Sequence, residues 1–127
     1  MITANQVLKI AKDLPDDGQN PTGFYGGCVY TAPDNDKWHC FAGEILVRLG
    51  YRLPASDTPM NQMSFIELLD SPNYTLSASD FEPYAINILG NAQAFADDDY
   101  VGDDGNLPLW GDVKKRVFEK YDYLLNM

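Results

Sequence analysis

Three side chains able to do nucleophilic or metal chemistry fall close together in this sequence: Cys28, His39 and Cys40. A thiol beside an imidazole is the working pair of many thiol enzymes, because the base removes the proton that otherwise masks the sulfur. A hairpin that folds Cys28 back toward Cys40 brings the three within reach of one another. Adjacent residues on a strand point to opposite faces, however, so His39 and Cys40 converge on Cys28 only if the chain bends at Cys40. The plain alternative is two cysteines packed as small core residues beside a partly exposed histidine. Zinc fits poorly. A structural site takes four ligands, commonly paired at short spacing, whereas eleven residues separate these cysteines and the chain has a single histidine.

Carboxylates form the second group. Asp97, Asp98, Asp99, Asp103 and Asp104 fall within eight positions. Asp97, Asp99 and Gly102 match three ligand-loop positions of an EF-hand, but Val101 replaces a ligand and Pro108 stands where calcium needs a bidentate glutamate. That excludes an EF-hand and leaves weak cation binding at most. Three consecutive Asp at the C-terminal end of a helix also oppose its dipole, which argues for an early helix end or for a partner that supplies positive charge.

These five residues sit inside a longer asymmetry. From Leu53 to Val113, 61 residues hold eleven Asp or Glu and no Lys, Arg or His. Residues 1 to 63 have seven acids and five bases (−2), and residues 64 to 127 have twelve acids and four bases (−8), which together give the formal net charge of −10. A surface so charged repels phosphate and anionic lipid and attracts basic protein surfaces. Direct nucleic-acid or membrane binding is therefore not expected. Dense carboxylates can instead imitate duplex DNA, which presents a charge about every 1.7 Å of its axis. Charge serving solubility alone is the remaining alternative. No cofactor is expected, because the glycines at Gly102 and Gly105 are interleaved with Asp that would repel phosphate, and no nucleophile elbow or histidine pair occurs.

The elements that must position these groups follow from apolar periodicity. With 127 residues, 45% hydrophobic and 13% aromatic, the chain can bury enough area to fold as a single domain spanning 1–127. Thr3 and Gln6 form a capping box before a helix with Val7, Ile10, Ala11 and Leu14 on one face, stopped by Pro15. Residues 15–23 read as a loop. Phe24 to Thr31 reads as a strand in which Gly26 and Gly27 mark a bulge or a close backbone approach, 32–36 as a turn, and Lys37 to Cys40 as the returning strand. A second helix carries Phe41, Ala42, Ile45, Leu46 and Leu49 and ends at Gly50; Ser64 to Glu67 opens a third of about two turns. Pro83 opens a fourth with Ala85, Ile88, Leu89, Ala92, Phe95 and Ala96, and a fifth carries Trp110, Val113, Val117, Tyr121 and Leu124. The fold class is α+β, mostly α: about five helices around one core, with a small β-hairpin near residues 24–40. Helices two, four and five should make the core, with helix one alongside. Of the aromatic cluster Phe24, Tyr25, Tyr30, Trp38 and Phe41, most rings should be buried. No apolar run approaches membrane-spanning length and the start lacks a signal-peptide pattern, so a cytoplasmic location with reduced cysteines is expected.

The opening Met-Ile-Thr-Ala-Asn-Gln-Val-Leu, the run Cys28-Val29-Tyr30, the helix start His39-Cys40-Phe41-Ala42-Gly43-Glu44-Ile45-Leu46, then Ala92-Gln93 and Leu109-Trp110-Gly111-Asp112 resemble small proteins of actinobacterial (mycobacteriophage-like) phages and their hosts. The resemblance implies a phage or prophage origin and a protein that acts on a host component; it implies no activity and no site residues. Together with the acidic span, it leads to a non-enzymatic accessory protein. Such a protein binds a host protein of basic or mixed surface through Asp97, Asp98, Asp99, Asp103 and Asp104, as an inhibitor or DNA mimic, in the host cytoplasm if phage-encoded. The alternative is a small Cys/His thiol enzyme or hydrolase using Cys28 and His39.

Overall fold

The structure is a computed structural model and describes residues 1–21, 28–53, 64–69, 75–97 and 108–126. Among them the order is α1 (Ala4–Asp13), β1 (Thr31–Ala32), β2 (Asn35–His39), α2 (Phe41–Arg48), α3 (Phe65–Leu68), α4 (Pro83–Ala96) and α5 (Trp110–Tyr121), with 3₁₀ turns at Ala78–Asp80 and Asp122–Asn126. The class is α+β, mostly α.

Local chemistry sets where the helices begin. Thr3 accepts the Gln6 N–H while the Gln6 side chain accepts the Thr3 N–H, so the capping box forms. Ser64 caps α3 by accepting the Glu67 N–H, while its own hydroxyl, not its N–H, donates to the Glu67 carboxylate, and Pro83 opens α4, where a missing N–H costs nothing. Gly50, at φ 103°, takes the left-handed conformation that closes α2. Two helical details differ from expectation. α3 is a single turn, because the chain is already extended at Leu69. On α1 it is Leu8 that is fully buried, with Val7 and Ala11, while Ile10 is only partly covered at the flank of the stripe.

α4 is the centre of the packing and touches α1, α2, α3 and α5. Its Ile88 and Leu89 are completely buried, as are Ile45 and Leu46 of α2 and Val113 and Val117 of α5. Each such side chain stabilises the fold by about 1.5–3 kcal/mol relative to exposure. α1 also meets α2 and α5, so it belongs to the core rather than lying beside it.

The hairpin turn is tighter than the pattern of residue types implies, and the return strand begins two residues earlier. Ala32 pairs with Asn35 and Thr31 with His39, with a bulge between the two pairs, so Pro33 and Asp34 alone make the turn. Pro33 supplies the fixed φ that a first turn position favours, which lets Asn35 begin the return strand. Among the described residues the first strand starts at Thr31; Phe24, Tyr25, Gly26 and Gly27 lie outside them.

A polar strap ties this frame together. Asn20, buried at 7% exposure, donates from Nδ2 to the Pro108 carbonyl at 2.6 Å and accepts the Phe41 N–H at 2.9 Å, and so joins the start of α2 to the approach to α5. The Gly18 carbonyl accepts the Trp110 N–H at 2.7 Å. A Cβ on Gly18 would stand 2.2 Å from the Trp110 ring, so only glycine allows the strap this close. At the far ends of α1, Glu82 accepts the Ala4 N–H and Lys114 donates to the Lys12 and Leu14 carbonyls.

Candidate functional site

The hairpin and α2 bring the two cysteines together. Cys40 leaves β2 and becomes the N-cap of α2, where its Sγ accepts the Gly43 N–H at 3.3 Å. The Cys40 N–H bonds the Tyr30 carbonyl at 3.2 Å, which holds the incoming chain two residues from Cys28. Gly43 is required at that crossing: a Cβ there would lie 2.5 Å from the Tyr30 carbonyl oxygen. A Cys-x-x-Gly helix start thus has a packing reason, since the cysteine caps the helix and the glycine admits the strand.

Both cysteines are unpaired thiols and fully buried. The Cys28 S–H has two acceptors within reach, the Cys40 sulfur and the Val29 carbonyl at 3.8 Å. The hydrogen bond with Cys40 and then burial push the Cys28 thiol well above its ordinary range, with the charges of Cys40 and Asp97 adding to the effect. Burial pushes Cys40 upward as well. The hydrogen bonds from the Cys28 thiol and from the backbone amides of Gly43, Ala42 and Cys40 itself outweigh it, and Cys40 falls below its usual value. The shared hydrogen bond thus acts oppositely on the two sulfurs, upward on Cys28 and downward on Cys40.

His39 takes no part in that pairing. Its Nδ1 lies 2.8 Å from Thr31 Oγ1, and the Thr31 hydroxyl gives its proton to the Leu53 carbonyl at 2.7 Å. Nδ1 must then carry the hydrogen and donate it to Thr31. Among the described residues the groups that set the acidity of the thiols are one another, Asp97 and nearby amides, and the imidazole is not one of them. Alternation along the strand explains this: Cys40 turns toward Cys28, so His39 turns toward Thr31. At 6% exposure His39 is buried rather than partly exposed.

Of the five candidate aspartates, Asp97 is described; Asp98, Asp99, Asp103 and Asp104 lie outside the described residues. Asp97 ends α4, and its Oδ1 accepts the Cys28 N–H at 2.7 Å. The thiol pair and the start of the Asp-rich segment are thereby joined. Asp97 is one of five described carboxylates in the base-free span, and all five hold a hydrogen bond inside the protein. Glu67 accepts from Ser64, Asp80 from the Tyr51 hydroxyl, Glu82 from the Ala4 N–H, Asp97 from the Cys28 N–H and Asp112 from the Leu109 N–H. Much of the acidity there serves helix starts and chain crossings. The other acids of the span, Asp57, Asp70 and the four aspartates after Asp97, lie outside the described residues.

Tyr30 and Phe41 are core residues, whereas Trp38 is 37% exposed, with its Nε1–H held by the Gln19 carbonyl at 2.8 Å. Among the described residues no three His, Cys, Asp or Glu side chains gather into a metal site, and no helix is long and apolar enough to cross a membrane. Residue types alone gave no notice of Asn20, Thr31 or Glu82, whose partners lie 21 to 88, 8 to 22 and 78 positions away in the chain. Comparison with protein-family models, with curated proteins and with solved structures finds no match to this chain.

Proposed function

We propose that this chain is a non-enzymatic binding protein whose Asp-rich segment engages a basic or mixed protein surface. The observation that carries the reading is the Asp97 anchor. Its carboxylate is occupied by the Cys28 N–H at the last turn of α4, so the aspartates that follow leave from a point fixed to the core. That departure point is also the negative end of the α4 dipole, where consecutive Asp repel one another and the helix carbonyls. A cationic partner offsets that repulsion, whereas solubility asks for no such concentration at a helix end. With Asp97 engaged internally, the partner contacts fall to Asp98, Asp99, Asp103 and Asp104. The resemblance to phage proteins supports a host protein as the partner, with inhibition of that protein or competition with DNA for its basic groove as the outcome.

The test is capture of a partner from host lysate by the wild-type chain and by a variant with Asp98, Asp99, Asp103 and Asp104 reversed to Lys. A specific partner lost in the variant, and weakened on the wild type by raised salt, supports the reading. Equal capture by both removes the segment from the interface.

A further inference from the structure

We propose that Cys28 and Cys40 form a reversible intramolecular disulfide, with Cys40 as the sulfur that reacts first with a hydroperoxide and Cys28 as the sulfur that resolves it. The inference stands apart from the binding reading and rests on the architecture around the two thiols. The Cys40 N–H to Tyr30 bond continues the hairpin past His39, so the chains bearing the two cysteines run side by side with their side chains in one core cluster. Cys40 stands opposite Tyr30 in this pairing, so Cys28 lies two residues along the neighbouring chain. Cys40 is also the N-cap of an eight-residue helix and already receives the Gly43 N–H on sulfur. Amide donors and the positive end of a helix dipole favour a thiolate there. Cys28, held at its N–H by Asp97, keeps its proton.

The chemistry balances in two steps. The Cys40 thiolate attacks one oxygen of the hydroperoxide, the O–O bond breaks, and Cys40 becomes a sulfenic acid as hydroxide or alkoxide leaves and takes a proton. The Cys28 sulfur then attacks the Cys40 sulfur, water departs with the sulfenic oxygen and the Cys28 proton, and the S–S bond closes. Two thiols have lost two electrons in total, and the hydroperoxide has gained them. An external dithiol reverses the bond by thiol–disulfide exchange. Burial makes the first step depend on native-state openings that admit a molecule as small as hydrogen peroxide, so the reaction is slower than at an exposed thiolate.

Three proteins exposed to hydrogen peroxide under native conditions test the proposal: the wild type, Cys28→Ser and Cys40→Ser. The products are read by intact mass after denaturing alkylation and by peptide mapping, with a dimedone trap for sulfenic acid. The expected wild-type product is a monomer lighter by two hydrogens, with Cys28 and Cys40 peptides linked and both thiols restored by dithiothreitol. Cys28→Ser is expected to trap a dimedone adduct on Cys40, and Cys40→Ser to leave Cys28 unmodified. Serine is itself a good N-cap, so α2 survives the second change. Wild-type protein that keeps both thiols overturns the proposal, as do sulfinic acids or disulfides between chains as its main products. A Cys28 adduct in Cys40→Ser that forms as fast as the Cys40 adduct in Cys28→Ser overturns the assignment of roles.

Discussion

Replacing Asn20 by Ala removes one amide and leaves two backbone groups behind it without partners: the Phe41 N–H at the first turn of α2 and the Pro108 carbonyl before α5. Asn20 is 7% exposed, so water does not reach either group freely. An unmet buried polar group costs about 1–3 kcal/mol, and two of them set the loss at about 2–6 kcal/mol. The space vacated by the amide can admit a water that bonds both, which places the expected value in the lower half, about 3 kcal/mol. For a chain of this size that corresponds to a fall in Tm of about 10–15 °C. Urea unfolding followed by circular dichroism measures it directly, with an unchanged m-value as the sign that both states keep their extent. Asn87→Ala is the control, because Asn87 is exposed on α4 and its change should stay within about 0.5 kcal/mol. An Asn20→Ala loss below about 1 kcal/mol, or one equal to that of Asn87→Ala, refutes the assignment of Asn20 as the join between the two helix starts.

Ile45→Ala and Leu89→Ala remove completely buried side chains and should each cost about 2–5 kcal/mol in the same assay, while Asp98→Ala should change stability little. Comparable losses for all three would show that the inward face has been misassigned. Tyr51 is pushed up to about 12 by burial and by its hydrogen bond to Asp80. The folded state thus favours the neutral phenol: the stability linked to it is complete below the ordinary pKa near 10 and is lost as pH rises from about 10 through 12. Spectrophotometric titration should show a late tyrosinate that disappears in Tyr51→Phe, and loss of only early-titrating signal in that variant would contradict the Tyr51–Asp80 pairing.

The helices were legible because each advertises itself locally. Thr3 with Gln6 and Ser64 with Glu67 are capping pairs three residues apart, and Ala85, Ile88, Leu89 and Ala92 recur at the helical period. The hairpin is legible, but its exact turn is not, because 32–36 is turn-forming throughout and admits several registers; a pairing that joins Ala32 to Asn35 is settled by the bulge and by packing, which residue types do not encode. Leu8 and Ile10 both fit a helical stripe, and the neighbours across α2 and α4 decide which one faces inward. At the candidate site, the meeting of the cysteines follows from the hairpin and the separation of His39 follows from alternation. The tie between Cys28 and Asp97 spans 69 positions and could not be read from either neighbourhood. The same holds for Asp80 and Glu82 of the acidic span, whose partners Tyr51 and Ala4 lie 29 and 78 positions away.

The first helix has both of its ends finished from afar. Glu82 completes its start across 78 positions, and Lys114 covers its last carbonyls across 100 and 102. A ten-residue helix is too short to persist by propensity alone, so α1 waits for those residues. Folding then has a late, all-or-none character: the closure of long loops must precede the contacts that compensate for it, as in chains of high contact order. Cutting the chain before α5 should therefore unravel helix structure at its opposite end, and a ribosome-bound chain should show little protection of α1 until Lys114 has emerged.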